Sequence, residues 1–324
     1  MVRLIASVLM PAFLMVGSQV AQGGMAKEPG AWLEQMSAAM SHMNYQGTFV
    51  YIHGDQLETV RITHVSDDEG VRERMVSLSG TAREVVRDSD GVRWVLGDEA
   101  SVLSDSTFNR SVFPQLPPDL VSQAGKSYTF KFGAETRVAG HSAKNVKVLP
   151  RDHYRYGYSL WLEKNSGMLL KWELVDSKRK ALAQLMFTEL LLGSEIDRDE
   201  LLADDRSKEF KTVKSGLPDA GSGNSTPPRF KPSRIPPGFT LINHRYVSGD
   251  EGEYEHLVYS DGLAAVSVYV ESLHENNGHP ELTQQHGTTH AYTRASDNML
   301  ITVVGNVPAA TVEMIGQSVA AASH

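Results

Sequence analysis

The chain has 324 residues, 31 Lys+Arg against 39 Asp+Glu, a formal charge of −8, and 41% hydrophobic to 22% charged residues. This is globular composition with room for about two domains, and its acidic balance excludes sequence-blind nucleic-acid binding, which needs a basic surface. The absence of cysteine excludes disulfides, thiolate-ligated metals and a cysteine nucleophile.

Residues 1–24 have the make-up of an export signal. Arg3 supplies the positive start, Leu4 to Val16 is apolar apart from Ser7 and Pro11, and small residues follow at Gly17, Ser18 and Ala21. That run is shorter than the roughly 20 residues of a bilayer-spanning helix. The mature chain is therefore expected to be exported and soluble; an uncleaved anchor is the alternative. Without a cysteine near the cleavage region, a lipoprotein anchor is not expected.

The spacing of Trp32, Met36, Ala39 or Met40, and Met43 predicts a helix over Pro29–Met43, with Pro29 suited to its first turn. Short β-rich runs follow at Thr48–His53, Leu57–Val65, Arg72–Leu78, Arg83–Arg87, Val92–Leu96 and Ala100–Leu103, separated by turn residues. After a loop and short helix expected over Phe113–Ala124, strands are expected at Tyr128–Phe132, Asn145–Leu149, Tyr158–Glu163, Leu169–Val175 and Ala183–Leu191. Tight turns between consecutive strands imply an antiparallel meander. Residues 204–233, rich in Gly, Pro, Ser and charge, are expected to form a flexible linker between a first domain at 25–203 and a second at 234–324. The second holds strands at Phe239–Val247, Tyr254–Tyr259, Leu263–Glu271, Thr288–Thr293 and Met299–Gly305, a two-residue hairpin turn at Asp261-Gly262, and a closing helix over Pro308–Ala321. From Phe230 onward there are four basic and ten acidic residues; an acidic face that keeps a small domain soluble accounts for this.

Several strands carry apolar residues on both faces. Phe49 and Tyr51 alternate with Val50 and Ile52, and Met168, Leu170, Trp172 and Leu174 share one face. Either helices cover the second face or it lines an apolar cavity. No chemistry-bearing motif survives inspection: there is no phosphate-binding or dinucleotide loop and no Gly-x-Ser-x-Gly elbow. His274-Glu275 lacks a second histidine of zinc-peptidase spacing, and Asp88–Gly91 is a hairpin turn. The chain is expected not to be an enzyme and to need neither cofactor nor metal.

The stretch Arg137–Gly193, with SLWLEKNSGMLLKWELVD and QLMFTELLLGSEI, resembles the RseB/MucB family of periplasmic regulators. So do NYQGTFVYIHGDQLETVRITH at Asn44–His64 and GTTHAYTRASDNMLITVVGNVPAATVEMIGQSV at Gly287–Val319. The resemblance implies a mainly β (α+β) protein: a lipoprotein-carrier-like, unclosed antiparallel β half-barrel with helices, plus a small antiparallel sheet-and-helix C-terminal domain. It also implies a partner, the periplasmic domain of a transmembrane RseA/MucA-like anti-sigma factor. Holding that domain would hinder regulated proteolysis and restrain an extracytoplasmic-function sigma factor, in envelope stress or exopolysaccharide (alginate) control. Lipid or lipopolysaccharide would loosen the grip; a homo-oligomer is left open, and a plain lipid or lipoprotein carrier is the alternative. On this reading the candidate lipid-pocket residues are Phe49, Tyr51, Trp94, Trp161, Trp172 and Phe187. The candidate anti-sigma contacts are Arg245, Tyr246, Tyr269, Tyr292 and Arg294, since Tyr and Arg are enriched at interface hot spots.

Overall fold

The computed structural model describes residues 28–80, 82–89, 91–96, 121, 125–193, 196, 198–201, 211–215, 227–249, 252–273 and 281–322. The export signal, most of the expected linker, the strand expected at Ala100–Leu103, the 113–124 segment apart from Val121, and the His274–Gly278 motif lie outside the described residues.

Helix α1 (Pro29–His42) starts on its proline and buries Leu33, Met36 and Ala39; Met36 and Ala39 belong to the expected stripe, whereas Trp32 and Met43 are only partly buried and Leu33 takes the buried place beside them. A meander follows: β1 (Tyr45–His53), β2 (Gln56–Asp67), β3 (Gly70–Ser77), β4 (Arg83–Asp88) and β5 (Gly91–Leu96). A second arm comprises β6 (Tyr128–Phe132), β7 (Thr136–Val138), β8 (His141–Pro150), β9 (Gly157–Glu163), β10 (Leu169–Val175) and β11 (Ala181–Leu192), after which β12 (Lys211–Ser215) returns to the outer edge of the first arm beside β5. All belong to one sheet of order β12-β5-β4-β3-β2-β1-β11-β10-β9-β8-β6, with β7 beside β8. Its first and last strands do not pair, so the sheet is an unclosed antiparallel half-barrel. The two arms meet only at β1, which pairs with β2 on one side and β11 on the other. The β1–β11 register shifts at Thr48/Phe49, and a Cβ on Gly47 would lie 2.5 Å from the Glu189 carbonyl oxygen. Only glycine permits that approach.

Pairing runs Tyr51 opposite Leu185, Leu185 opposite Trp172, and Trp172 opposite Leu160. These residues share the face that α1 covers, and with Phe49, Phe187, Leu162 and Met36 they form the first core. The opposite face is largely polar. There Arg74 pairs with Glu84 at 2.6 Å, and Lys171 sits 4.6 Å from the Trp161 ring centroid while pairing with Glu173.

The C-terminal unit has its own core of Leu257, Val268, Val303, Val312 and Ile315. Its elements are β13 (Phe230–Pro232), β14 (Thr240–Gly249), β15 (Gly252–Ser260), β16 (Ala265–Ser272), β17 (Leu282–His286), β18 (Thr289–Ser296), β19 (Met299–Gly305), α2 (Ala309–Ser318) and β20 (Val319–Ala321). The sheet order is β14-β15-β16-β19-β18-β17, with β13 and β20 as a separate pair. One face carries α2, where a Cβ on Gly316 would come 2.3 Å from the Tyr292 ring.

Three local expectations are corrected. The closing helix ends at Ser318, because Val319–Ala321 turns into a strand against Phe230–Pro232. Lys211–Ser215, inside the expected linker, is an edge strand on β5; a short lysine-bearing edge needs backbone partners rather than core burial. The Asp261-Gly262 turn is part of a four-residue connection, since Ser260 pairs with Ala265 and the Asp261 carboxylate accepts from the Leu263 and Ala264 N–H groups.

Candidate functional site

The half-barrel brings four of the expected pocket residues together. Phe49 and Phe187 are 0% and 1% exposed and meet edge-to-face at 5.6 Å. Trp172 is buried and its ring lies 6.0 Å from that of the half-buried Tyr51. Trp161 is not among them: it pairs opposite Lys171, not opposite Trp172, and so stands on the other face. A one-residue change of register exchanges faces. Trp94 pairs opposite Val85 in β4, at the far end of the first arm; its side chain lies outside what is described.

The C-terminal candidates divide likewise. Arg245 is opposite His256, and His256 is opposite Tyr269, on the sheet face away from α2. The His256 and Tyr269 rings stack at 4.3 Å and 4°, with Tyr254 6.2 Å from Tyr269. Tyr246 takes the α2 side, where the Arg229 guanidinium lies 4.2 Å from its ring and its hydroxyl donates to Glu253. That hydrogen bond to a carboxylate raises the Tyr246 pKa. Tyr292 is 1% exposed and donates to Glu281 at 2.6 Å; burial, then Glu281, pushes its pKa up to about 12. Arg294 donates from Nε to the Gly316 carbonyl and from Nη2 to the Val319 carbonyl, both at 2.8 Å. It closes the C-terminal end of α2, where a cation complements the helix dipole. Tyr292 and Arg294 therefore hold helix to sheet, Tyr292 buried and Arg294 half-buried with its guanidinium engaged at the end of α2.

A third cluster joins the two units. Arg155, in the β8–β9 loop, donates from Nη1 to Asp261 Oδ2 at 2.6 Å, and both side chains are fully buried. Arg155 Nη2 also donates to the Pro237 carbonyl at 2.6 Å, while Nε donates to Asp152 Oδ1 at 3.0 Å. Tyr128 Oη donates to Asp261 Oδ2 at 3.1 Å; burial first and Asp261 second hold the phenol well above its usual pKa. The guanidinium lies over the rings of Tyr128 and Phe239, at 5.5 and 5.1 Å. Around this clamp Thr311 Oγ1 donates to the Tyr154 carbonyl at 2.6 Å, the Thr288 N–H donates to His53 Nε2 at 3.3 Å, and Leu263 packs on the first core. Sequence reasoning missed Arg155 and Asp261. They are 106 positions apart, and only the Asp-Gly turn drew the eye.

Among the described residues no group of three or more His, Asp or Glu could hold a metal ion. No helix among them is long and apolar enough to cross a membrane.

Models of the MucB/RseB N-terminal and C-terminal domains match residues 28–204 and 224–320. The chain belongs to the MucB/RseB family. It is 32% identical over 313 residues to the sigma factor AlgU regulatory protein MucB of Pseudomonas aeruginosa, covering 94% of this chain and 95% of that one. To the sigma-E factor regulatory protein RseB of Escherichia coli it is 26% identical over 322 residues, covering 94% and 95%. Among solved structures, MucB in complex with MucA(peri) aligns with a TM-score of 0.74 at 30% identity, over 92% of this chain and all (100%) of that one. MucB crystallised alone aligns at 0.64 and 30% identity, over 91% and 98%. The family resemblance and the mainly β architecture expected from the sequence both hold. This MucB/RseB chain matches the MucA-containing structure better than MucB alone, at equal identity.

Proposed function

We propose that this protein is an exported regulator that holds the periplasmic part of a transmembrane anti-sigma factor, hinders its regulated proteolysis and so restrains an extracytoplasmic-function sigma factor. The observation that carries this reading is the chain-long likeness to MucB in complex with MucA(peri), spanning both units at a TM-score of 0.74. The gap to the 0.64 of MucB alone supports a grip that depends on how the units are arranged. Residues 1–24 serve as the export signal, and the boundaries 25–203 and 234–324 delimit the half-barrel and the smaller domain.

Lipid or lipopolysaccharide acts on this grip by linkage. A ligand shifts a two-state equilibrium only as far as it prefers one state, so an acyl chain weakens the anti-sigma complex by favouring an arrangement that the complex disfavours. The apolar inner face of the half-barrel with Phe49, Tyr51, Trp172 and Phe187 is the receptor, entered from its half-buried Tyr51 end because Phe49 and Phe187 are buried beneath α1. The partner contacts Arg245 and Tyr269 on the open sheet face of the smaller domain, beside His256. Half-buried on the sheet face away from α2, these residues offer a binding surface.

The test is calorimetric binding of the mature protein to the periplasmic segment of the MucA-like protein from the same genome, with and without lipid. Tight binding that lipid weakens is expected, and Arg245→Ala with Tyr269→Ala should lower affinity by about tenfold or more without shifting the unfolding midpoint. No binding to that segment refutes the regulator. Full activity in cells after deletion of 230–324 supports the carrier instead.

A further inference from the structure

Trp172 combines deep burial with an unmet hydrogen bond. The residue is 8% exposed, and its Nε1 has no hydrogen-bond partner among the described residues. The indole N–H can only donate, and a buried donor without an acceptor is rare in a native protein. Its paired neighbours, Leu185 and Leu160, offer only hydrocarbon side chains.

The surroundings show from which side an acceptor can arrive. Beneath α1 the face is closed by Phe49 and Phe187. Tyr51, in the row of Trp172, and His53 and Tyr158, one row further along, are only half-buried. The smaller domain reaches that end through Thr288 on His53, and its Leu263 packs on the first core.

We propose that the Trp172 indole N–H anchors the carbonyl of an acyl chain that inserts at the seam between the two domains. This anchor presupposes the lipid-responsive reading above and gives it a position and a chemistry. The ligand must carry an acceptor on an otherwise apolar chain: an ester, amide or carboxyl carbonyl. Because Leu263 and the chain claim the same apolar surface, lipid binds best where the domains have loosened, and domain contact and lipid exclude each other.

The full-length mature protein is titrated with lauroyl-lysophosphatidylcholine and with dodecylphosphocholine, below their micellar concentrations. The two share a headgroup, but only the first has a carbonyl; lauric acid as a third probe separates an ester from a free carboxylate. The acyl probe should bind about 3- to 10-fold tighter than the carbonyl-free one, the worth of one hydrogen bond. Trp172→Phe should erase that ratio and leave dodecylphosphocholine affinity nearly unchanged. Should Trp172→Phe fail to fold, the wild-type indole N–H resonances still decide: one should shift with the acyl probe and not with its carbonyl-free counterpart. Leu263→Ala should tighten acyl binding. Equal affinities for the two probes, a ratio that survives in Trp172→Phe, or unchanged or weaker acyl binding in Leu263→Ala overturns the anchor at the seam while leaving lipid binding in place. Absence of binding by all three probes overturns the lipid-responsive reading itself.

Discussion

Asp261→Asn is the sharpest perturbation of the domain clamp. The Asp261 carboxylate accepts four hydrogen bonds: from Arg155 Nη1 at 2.6 Å, Tyr128 Oη at 3.1 Å, and the N–H groups of Leu263 at 2.9 Å and Ala264 at 2.7 Å. Asparagine keeps an oxygen for the two backbone donors but turns an NH₂ towards Arg155 and Tyr128. Breaking a fully buried ion pair by removing one partner costs about 3–5 kcal/mol. Arg155 retains Asp152 and the Pro237 carbonyl, which places the variant near the lower end, at about 3 kcal/mol. Arg155→Met should cost somewhat less, about 2–3 kcal/mol, since Asp261 keeps three donors. The double variant should cost less than the two singles together by about 2 kcal/mol. Each domain has its own core, so the loss falls on their coupling. All four tryptophans, Trp32, Trp94, Trp161 and Trp172, lie in the first domain. Tryptophan fluorescence therefore follows that domain alone, while far-ultraviolet circular dichroism follows both. In urea the two signals should coincide for the wild type and separate for Asp261→Asn. Coincident curves with an unchanged midpoint would refute the clamp.

Arg294→Ala should cost about 1–2 kcal/mol through the lost end of α2, and Gly316→Ala about 1–3 kcal/mol through the collision with Tyr292. Urea melts followed by circular dichroism check both; a loss of anti-sigma affinity in Arg294→Ala at unchanged stability would return Arg294 to the binding surface. His64 stacks on Tyr45 at 4.6 Å and donates from Nδ1 to the Met43 carbonyl at 2.9 Å, and burial lowers its pKa below 6.5. Below pH 6.5 the unfolded imidazole takes up its proton first, so stability falls as pH drops towards the folded pKa, by at most about 1.4 kcal/mol per pH unit. Urea midpoints at pH 7.5 and 5.5 should differ less in His64→Phe than in the wild type; equal differences would refute the assignment. Glu73 acts in the opposite sense at lower pH. Burial raises its pKa, so its cost to the fold is present above that raised value and relieved as the carboxyl protonates.

The meander was legible because its strands alternate within themselves: Phe49, Tyr51 and His53 point one way whatever the partner strand does. The polar edges β7, β12, β13, β17 and β20 were not. Leu282–His286 is exposed along its whole length, and such a run becomes a strand only when a neighbour supplies its hydrogen bonds. Of the apolar site, Phe49, Tyr51, Trp172 and Phe187 follow from alternation, while Trp161 fails because facing is settled by the β9–β10 register rather than by composition. Tyr292 and Arg294 fail for a related reason. Hot-spot chemistry names residue types without saying which side of the sheet they occupy, and α2 occupies theirs. The Arg155–Asp261 pair joins two loops of different domains and leaves no periodic trace.

Strand β1 is the spine of the half-barrel, and Thr188 reaches the Thr48 carbonyl across 140 positions of chain. The β2–β5 arm can assemble on one flank of β1 as soon as it is synthesised. The other flank stays an open template until residues 181–192 arrive, and pairing over such a separation is slow. A nascent or truncated chain ending before β11 thus exposes the unsatisfied edge of β1 with Phe49 and Tyr51 on it, the condition under which partly built sheets aggregate. If the chain is exported as proposed above, this late closure favours transport before folding and sets a premium on delivering the whole first domain without interruption.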